Sequence, residues 1–314
     1  MGLIRNLLLK ASQSARLRET ASRYAFVRTS AKRFLPGETA TSALEVAGTL
    51  AGEGVTSLIT HLGENVSDRA EAEGITSEYL ELLDRIRSAG LPSEVSVKLT
   101  QLGLDVDREI CFMNLTKLLA HEQHTQRESN RILWIDMEHS AYVDATLEMY
   151  ARARAVNPRV GVCVQAYLYR TEQDVEALVA GGASVRLVKG AYSEPAEIAY
   201  PKKNDVDESY FRLAQMLLGN EAQRAGGRVA LATHDRRLIA RISEWAGQRG
   251  IGKSQLEFAM LYGIEREEQL RLAREGYRSC VLVSYGAYWF PWFVRRLAER
   301  PANMLFLVRN VFSG

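Results

Sequence analysis

The sequence predicts an α/β fold in which eight strand–helix units close into a TIM-type (βα)8 barrel, preceded by a helical extension. Short β-branched apolar runs recur eight times after residue 54, and each is followed by a longer segment with helical spacing. Strands that alternate with helices form a parallel sheet, and eight units are the number that closes this barrel. A chain of 314 residues is long enough for one large barrel.

The eight apolar runs have the length and composition of buried parallel strands. They cover residues 55–61, 94–99, 132–137, 160–167, 185–189, 229–234, 256–261 and 279–285. Two intervening segments, residues 171–180 and 235–248, place apolar residues at three- and four-residue intervals and begin with capping residues. These segments are predicted to be amphipathic helices.

An open, doubly wound sheet is the alternative to a closed barrel. Such sheets usually carry a nucleotide-binding motif after a strand. The sequence contains no GxGxxG after any predicted strand and no GxxxxGK[ST]. The closed barrel is therefore the preferred prediction.

The N-terminus is strongly basic, because residues 1–34 contain eight lysines and arginines and a single acid, Glu19. We expect residues 1–45 to form a basic helical extension packed on a barrel domain of residues 46–314. A transit peptide or a membrane-surface helix is the alternative. Peripheral contact with the inner membrane surface therefore stays open.

Composition excludes several classes of protein. Hydrophobic residues make up 46% and charged residues 25% of the chain, and the net charge of +2 gives no argument for nucleic acid. Cys111, Cys163 and Cys280 lie far apart, which indicates neither a disulfide framework nor a CxxC site and favours the cytoplasm. No HExxH or GxSxG motif occurs, so neither a metal site nor a serine hydrolase is predicted.

Polar side chains cluster at the predicted C-terminal ends of the strands, where barrel enzymes carry their chemistry. Several cations and one evident acid, Asp136, would meet at this mouth, which favours an anionic ligand such as a phosphate-bearing cofactor with a carboxylate substrate. In the turn after the fifth strand, Lys189 precedes an uncovered glycine backbone of the kind that approaches phosphate. The strand-end residues are Lys98, Asp136, Gln165, Arg186, Lys189, Thr233, His234, Tyr262 and Tyr285.

A last helix is predicted from about Tyr288 onward, and it carries the adjacent Arg295 and Arg296 among aromatic residues. Guanidinium groups bind carboxylates through two parallel hydrogen bonds, so this pair suggests a clamp for a small acid. Helical spacing places Arg295 and Glu299 on one stripe. The alternative is an ordinary amphipathic helix whose arginines pair with Glu299 or with solvent.

Seven motifs in this order resemble the monofunctional bacterial proline dehydrogenases: SVKLTQLG, WIDMEHSAYVDATL, QAYLYRTEQDV, RLVKGAYSEP, LATHD, EFAMLYGI and WFPWFVRRLAERPAN. The resemblance covers roughly residues 45–310. It implies a distorted (βα)8 barrel that holds non-covalent FAD. It also implies oxidation of L-proline to Δ1-pyrroline-5-carboxylate, with electrons passed to a membrane quinone.

The resemblance also implies roles for individual residues. Lys98, Arg295 and Arg296 would hold the substrate carboxylate, with Glu299 orienting an arginine. Asp136 and Arg186 are the expected catalytic residues, Asp136 beside the substrate and Arg186 near the reactive edge of the flavin. The remaining expected contacts are Tyr192 on the substrate ring, Met137 and Gln165 on the flavin ring, Lys189, Gly190 and Ala191 along its chain, and Thr233 with His234 at its far end.

The chain departs from the family pattern in the eighth strand, where Leu282 and Ser284 replace a tyrosine and a proline. Ser193, where some family members have an aromatic residue, and Asp235, where asparagine is common, are smaller departures from the family pattern. A changed ring pocket would admit hydroxyproline or another cyclic imino acid. Two further alternatives stay open: a Schiff-base lyase that uses Lys98 or Lys189 as nucleophile, and a non-catalytic ligand sensor.

Overall fold

The computed structural model describes residues 31–63, 66–125 and 131–299, and of residues 123–125 and 295–299 it describes the backbone alone. Eight parallel strands in these ranges form a closed barrel in chain order. β8 closes it against β1 over six paired positions, from Thr56 opposite Cys280 to His61 opposite Tyr285. The strands are β1 Thr56–His61, β2 Ser93–Val97, β3 Leu133–Ile135, β4 Val160–Gln165, β5 Ser184–Val188, β6 Val229–Ala232, β7 Glu257–Leu261 and β8 Arg278–Tyr285.

Helices precede β1 and follow every strand. In the described ranges they are α1 Ala40–Gly52, α2 Arg69–Ser88, α3 Arg108–Thr125, α4 Val143–Val156, α5 Thr171–Ala180, α6 Lys203–Leu218, α7 Asn220–Ala225, α8 Arg236–Gly247, α9 Arg266–Arg274 and α10 Trp289–Glu299. Two short 3-10 helices, Ser140–Tyr142 and Lys253–Gln255, precede α4 and β7.

The predicted barrel is confirmed, and the open sheet is wrong. All eight strands lie where the apolar runs predict them, and each end falls within two residues of its predicted position. The helix predicted at residues 171–180 is α5 with the same bounds. α8 begins one residue later than predicted, because Asp235 is its N-cap and accepts the amide N–H of Arg237 at 3.1 Å.

Alternation along the strands separates two apolar layers. Residues such as Ile59, Ile135 and Val283 pack outward against the helices, in the main hydrophobic core. Leu58, Trp134 and Ala259 pack inward, in a separate interior cluster. Side chains in a strand point alternately to opposite faces, so each strand supplies both layers.

A charged cluster closes the N-terminal end of the barrel; we call it the barrel floor (Glu94, Trp134, Arg228 and Glu257). Arg228 bonds both oxygens of the buried Glu257 at 2.8 Å and also pairs with Glu94. Trp134 Nε1 donates to Glu94 at 2.8 Å. Trp134 fits inside the barrel only because β4 has a glycine beside it: a Cβ at Gly161 would lie 2.6 Å from the indole.

The proposed boundary between extension and barrel, at residues 45 and 46, falls inside α1. Residues 1–30 of the expected extension lie outside the described residues. Phe34 and Leu35, which belong to it, are buried. No helix in the described ranges is long and apolar enough to cross a membrane.

Candidate active site at the mouth of the barrel

Asp136 and Arg186 form an ion pair at the C-terminal end of the barrel, in which Arg186 is buried and Asp136 is partly exposed. Asp136 directly follows β3, and its amide N–H donates to the carbonyl of Val97 at 2.8 Å, so it stays in register with β2. Its carboxylate pairs with the guanidinium of Arg186. Ser96 connects the two, because its Oγ lies 2.6 Å from Asp136 Oδ1 and 3.1 Å from Arg186 Nη2.

Arg186 reaches this pair from β5, across β4. Cys163, opposite it on β4, is small enough to let the long side chain cross the interior. Burial lowers the pKa of Arg186, but the charge of Asp136 raises it, and the net shift is upward. Arg186 Nη1 is buried and has no hydrogen-bond partner among the described residues.

Lys98 follows β2 and is also buried. Its ammonium group donates to the carbonyl of Gly63, after β1, at 3.0 Å. Strand neighbours place Lys98 beside Asp136, since Val97 is paired with Ile135. Lys98, Asp136 and Arg186 therefore meet at one mouth, as predicted.

Gln165 ends β4 and turns its side chain toward the loop after β3. Its Nε2 donates to the carbonyls of Met137 at 3.4 Å and Glu138 at 3.0 Å. Its Oε1 is buried without a hydrogen-bond partner in the described part of the chain. Glu138 in turn is held by Thr100, whose hydroxyl donates at 2.7 Å.

The turn after β5 needs glycine at position 190. Gly190 has φ +115°, and a Cβ there would lie 2.2 Å from the ring of Tyr167. Ala191 and Tyr192 continue the turn, and the Tyr192 ring lies 6.0 Å from that of His139. Glu194 anchors the loop to the β3 side, because it accepts the N–H and hydroxyl of Ser140 at 2.7 and 2.6 Å.

Lys189 belongs to a ring of alternating charges, the lysine–aspartate quartet (Lys189, Lys203, Asp207 and Asp235). Lys189 donates to Asp207 at 2.5 Å and to Asp235 at 3.2 Å, and Lys203 contacts the same two carboxylates. Burial raises the pKa of Asp235. Lys189 and Lys203 lower this pKa by more than burial raises it, so the net value falls to about 2. The prediction that Asp136 is the one evident acid at this mouth is therefore corrected, because Asp207 and Asp235 also lie there.

Thr233 and His234 follow β6 beside this quartet. Thr233 is buried, and its Oγ1 accepts the N–H of Asp235 at 3.1 Å. His234 Nε2 accepts the N–H of Leu261 at 2.9 Å, which ties the end of β6 to the end of β7. Tyr285, also predicted at the mouth, instead packs in the outer core beside His61, 5.2 Å away.

α10 covers the opposite side of the mouth. Residues 289, 290 and 292–294 are buried against Leu62 and Leu261, at the ends of β1 and β7, and against Leu282 within β8. α10 begins one residue after the predicted start. The side chains of Arg295, Arg296 and Glu299 lie outside the described residues, so their predicted clamp stays a prediction.

Several residues that hold the site together are not among those predicted from the sequence. Ser96 was detectable, because it precedes Lys98 by two residues on a strand and must share its face. No sequence pattern indicates Asp207 or Glu194 as site residues, because neither lies at a strand end. Asp207 reaches the mouth from a helix and Glu194 from a loop.

The model of the proline dehydrogenase family matches residues 43–309. Proline dehydrogenase 1 of Bacillus subtilis (strain 168) is 36% identical over 311 residues, which are 99% of this chain and 100% of the relative. Proline dehydrogenase of Deinococcus radiodurans is 36% identical over 289 residues, 90% of each chain. These matches confirm the resemblance drawn from the seven motifs.

The solved structure of proline utilization A from Bdellovibrio bacteriovorus, inactivated by N-propargylglycine, has a TM-score of 0.79 and 26% identity over 87% of this chain. Proline utilization A from Corynebacterium freiburgense, with a TM-score of 0.71 and 21% identity over 98% of this chain, supports the fold alone. The chain spans 33% and 34% of these two proteins. The chain therefore belongs to the proline dehydrogenase family and is an oxidoreductase of proline catabolism.

Proposed function

We propose that the chain oxidises L-proline to Δ1-pyrroline-5-carboxylate with bound FAD and passes the electrons to a quinone. One observation carries this proposal: the Asp136–Arg186 pair and Gln165 converge at one mouth, and each side has a buried polar atom there without a hydrogen-bond partner among the described residues. Buried polar atoms are nearly always hydrogen-bonded, so unpaired ones at a site point to a missing ligand.

The residues present fit FAD. Arg186 Nη1 and Gln165 Oε1 offer a donor and an acceptor to a polar ring edge. Lys189, which is paired with Asp207 and Asp235, brings its cation to this side of the mouth, and the Gly190 turn leaves backbone uncovered for a phosphate-bearing chain. When bound, FAD supplies the acceptor for the substrate's hydride.

Proline oxidation requires mainly that the enzyme holds the substrate in one orientation. The ring carbon next to nitrogen loses a hydride and the nitrogen loses a proton, which leaves a C=N bond. Lys98, with Arg295, Arg296 and Glu299 on α10, would anchor the carboxylate at several points, and Tyr192 would pack on the ring. Holding reactants in one geometry removes much of the entropic barrier. Asp136 keeps Arg186 charged and in place beside the reacting centre.

A quinone acceptor would give the basic N-terminus a role at an anionic membrane surface. Residues 1–34 carry eight basic residues, and such clusters bind anionic lipid through electrostatics. We therefore propose a cytoplasmic enzyme with peripheral contact at the inner membrane surface. Binding to vesicles of anionic lipid, compared with neutral vesicles, tests this part alone.

One observation favours trans-4-hydroxy-L-proline as a second substrate. Ser284 lies two positions from the inward-facing Leu282 on β8, and its buried hydroxyl has no hydrogen-bond partner in the described ranges. A free hydroxyl beside the substrate ring would pair with a ring hydroxyl. The ratio of kcat/KM for the two substrates tests this proposal. A strong preference for L-proline would contradict a role for trans-4-hydroxy-L-proline as a second substrate.

The visible spectrum before and after anaerobic addition of L-proline tests the main proposal. We expect a yellow protein that bleaches with proline and recovers its colour with a soluble quinone. Flavin that no imino acid bleaches would favour the ligand sensor. A colourless protein that borohydride traps with a carbonyl compound would favour the Schiff-base lyase.

A further inference from the structure

The indole of Trp134 lies inside the barrel within reach of two guanidinium groups. Arg186 Cζ lies 5.6 Å from the centroid of the ring, and Arg228 Cζ lies 5.7 Å from it. Both distances are in the range of a cation–π contact, which is strongest with tryptophan and with cations shielded from water. Arg186 belongs to the mouth and Arg228 to the barrel floor, so this ring lies where the two charged clusters meet.

Trp134 itself is fixed on two sides. Its side chain is buried, and its Nε1 donates to Glu94 Oε2 at 2.8 Å. On the neighbouring strand β4, Gly161 leaves space for the indole and no more, since a Cβ there would lie 2.6 Å from the ring. The ring therefore offers a firm surface to any side chain that rests on it.

Arg186, in contrast, is a long side chain with small neighbours. Its partners on the adjacent strands are Cys163 on β4 and Ala230 on β6, which leave it room to cross the interior. Asp136 and Ser96 both bond its Nη2. Two bonds to one nitrogen do not stop the planar guanidinium from turning about that nitrogen, so a further contact is needed to fix its orientation.

We infer that Trp134 is a positioning residue for Arg186 and that its indole holds the guanidinium in the orientation required beside the flavin. Trp134 precedes Asp136 by two positions, so it faces the same interior one layer nearer the floor. From that layer the ring supports Arg186 while Asp136 and Ser96 hold its tip. This inference rests on the proposed function, in which Arg186 contacts the flavin.

The effect of Trp134 should appear in the electron affinity of the flavin. A cation fixed at the polar edge of the ring system stabilises negative charge that develops there on reduction, whereas a cation that turns away stabilises it less. The proposed carboxylate anchors follow β2 or lie on α10, outside the layer of Trp134. Loss of the indole should therefore lower kcat for L-proline more than it raises KM.

Trp134→Met and Trp134→Phe together test the inference. Methionine fills an interior gap without an aromatic face, whereas phenylalanine keeps such a face but cannot donate to Glu94. We expect flavin in Trp134→Met to be reduced about tenfold less favourably, which lowers its midpoint potential by about 30 mV for a two-electron couple. Trp134→Phe should restore most of that potential. Reductive titration against a reference dye measures both values.

Two variants serve as controls. Trp245→Met removes another tryptophan–arginine contact, because Arg249 Cζ lies 4.2 Å from the Trp245 ring at the end of α8, away from the mouth. Arg228→Met removes the floor cation beside Trp134 and leaves the indole in place. The midpoint potential should be unchanged in both variants.

A measurement without flavin tests the contact itself. Urea unfolding of the full chain, freed of flavin, compares Trp134→Met, Arg186→Met and the double variant. Residues in contact give non-additive changes, so the double variant should lose less stability than the two single variants lose together. If Trp134→Met does not fold, Gly161→Ala replaces it, because its Cβ would push the indole aside without removing it, and the potential should fall in the same direction.

A wild-type midpoint potential in Trp134→Met, or in Gly161→Ala where that variant replaces it, would overturn the inference. An equal fall in Trp134→Phe would also overturn it, since the effect would then belong to the Glu94 hydrogen bond. Additive unfolding changes would do the same. Failure of the proposed function looks different, because it shows as wild-type protein that binds no flavin or that proline does not bleach, and the unfolding comparison still tests the Trp134–Arg186 contact in that case.

Discussion

Charged side chains at the mouth are held in pairs whose members come from different parts of the chain. Arg186 on β5 reaches Asp136 after β3, and Ser96 on β2 bonds both. A buried charge that loses its partner is strongly destabilising, so such pairs are sensitive to a single substitution. At the scale of the residue, stability and function therefore depend on the same few contacts.

The Asp136→Asn variant should lower kcat/KM for L-proline about a hundredfold. The amide keeps the shape of the carboxylate but leaves Arg186 without a counter-charge, so the guanidinium no longer has a fixed place beside the substrate. Steady-state kinetics measures the change. Asp144→Asn is the control, because it removes a carboxylate from an exposed pair with Arg170, and an equal loss there would contradict the prediction.

Asp235 should contribute stability that depends on pH. Its pKa is lowered in the folded protein from 3.8 to about 2. A group with a lowered folded pKa stabilises the protein above its unfolded pKa and loses that contribution as pH falls toward its folded pKa. Wild-type protein should therefore lose stability relative to Asp235→Asn between about pH 4 and about pH 2.

Urea unfolding of the two proteins across this pH range measures the effect. Asparagine is as good an N-cap as aspartate, so α8 keeps its cap in the variant. A difference in unfolding free energy that does not change with pH would show that the Lys189 and Lys203 contacts contribute nothing through charge.

At the scale of the element, loops after the strands carry the site and neighbouring side chains fix their shape. The turn at residues 189–191 packs on Tyr167, and Glu194 ties the following loop to Ser140. Because the loop is held at both places, its backbone has little freedom to adapt to a new side chain.

Gly190→Ala should weaken FAD binding at least about tenfold, because its Cβ would lie 2.2 Å from the ring of Tyr167 and would push the turn away. Titration of the apoprotein with FAD, followed by flavin fluorescence, measures the affinity. Gly276→Ala is the control, since Gly276 also has positive φ, +89°, but no atom within 4 Å of the added carbon. Similar FAD affinity in both variants would contradict a role for this turn.

At the scale of the whole molecule, the N-terminal end of the barrel carries a stabilising charged cluster, and the C-terminal end carries the candidate active site. The barrel floor joins β2, β3, β6 and β7 through Arg228, Glu94, Glu257 and Trp134. Burial lowers the pKa of Arg228, but Glu257 and Glu94 raise it, and the net shift is upward. The active site lies at the opposite end of the same strands.

Arg228→Met should lower the free energy of unfolding by about 3–5 kcal/mol, because it takes the cation from the mostly buried Glu94 and leaves the buried Glu257 with the more distant, exposed Arg278 at 3.3 Å. KM for L-proline should change little, because Arg228 itself pairs with Glu94 and Glu257 at the floor, and the substitution leaves in place Trp134, whose ring centroid lies 5.6 Å from Arg186 Cζ. Urea unfolding and steady-state kinetics measure the two effects. Lys253→Met, in an exposed pair with Glu275, should change stability by less than about 1 kcal/mol.

Much of the candidate site could be predicted from the polar residues at the C-terminal ends of the strands. Lys98, Asp136, Gln165 and Arg186 were predicted at one mouth because parallel strands bring their carboxyl ends together and the period of two sets their faces. The clamp on α10 and the flavin and substrate roles stay predictions. The acids around Lys189 were missed, because Asp207 lies on a helix whose docking no local pattern encodes.

The sequence by itself determined the order of strands and helices, the closed barrel and the family, because these follow from local periodicity and from motifs that survive in order. Only the tertiary structure decided which charges pair, how Trp134 and Arg228 close the floor, and how residues 31–38 pack against Gly263 and α10. Those contacts join residues far apart in the chain, and their geometry depends on packing angles and side-chain volumes that act only once the barrel has closed.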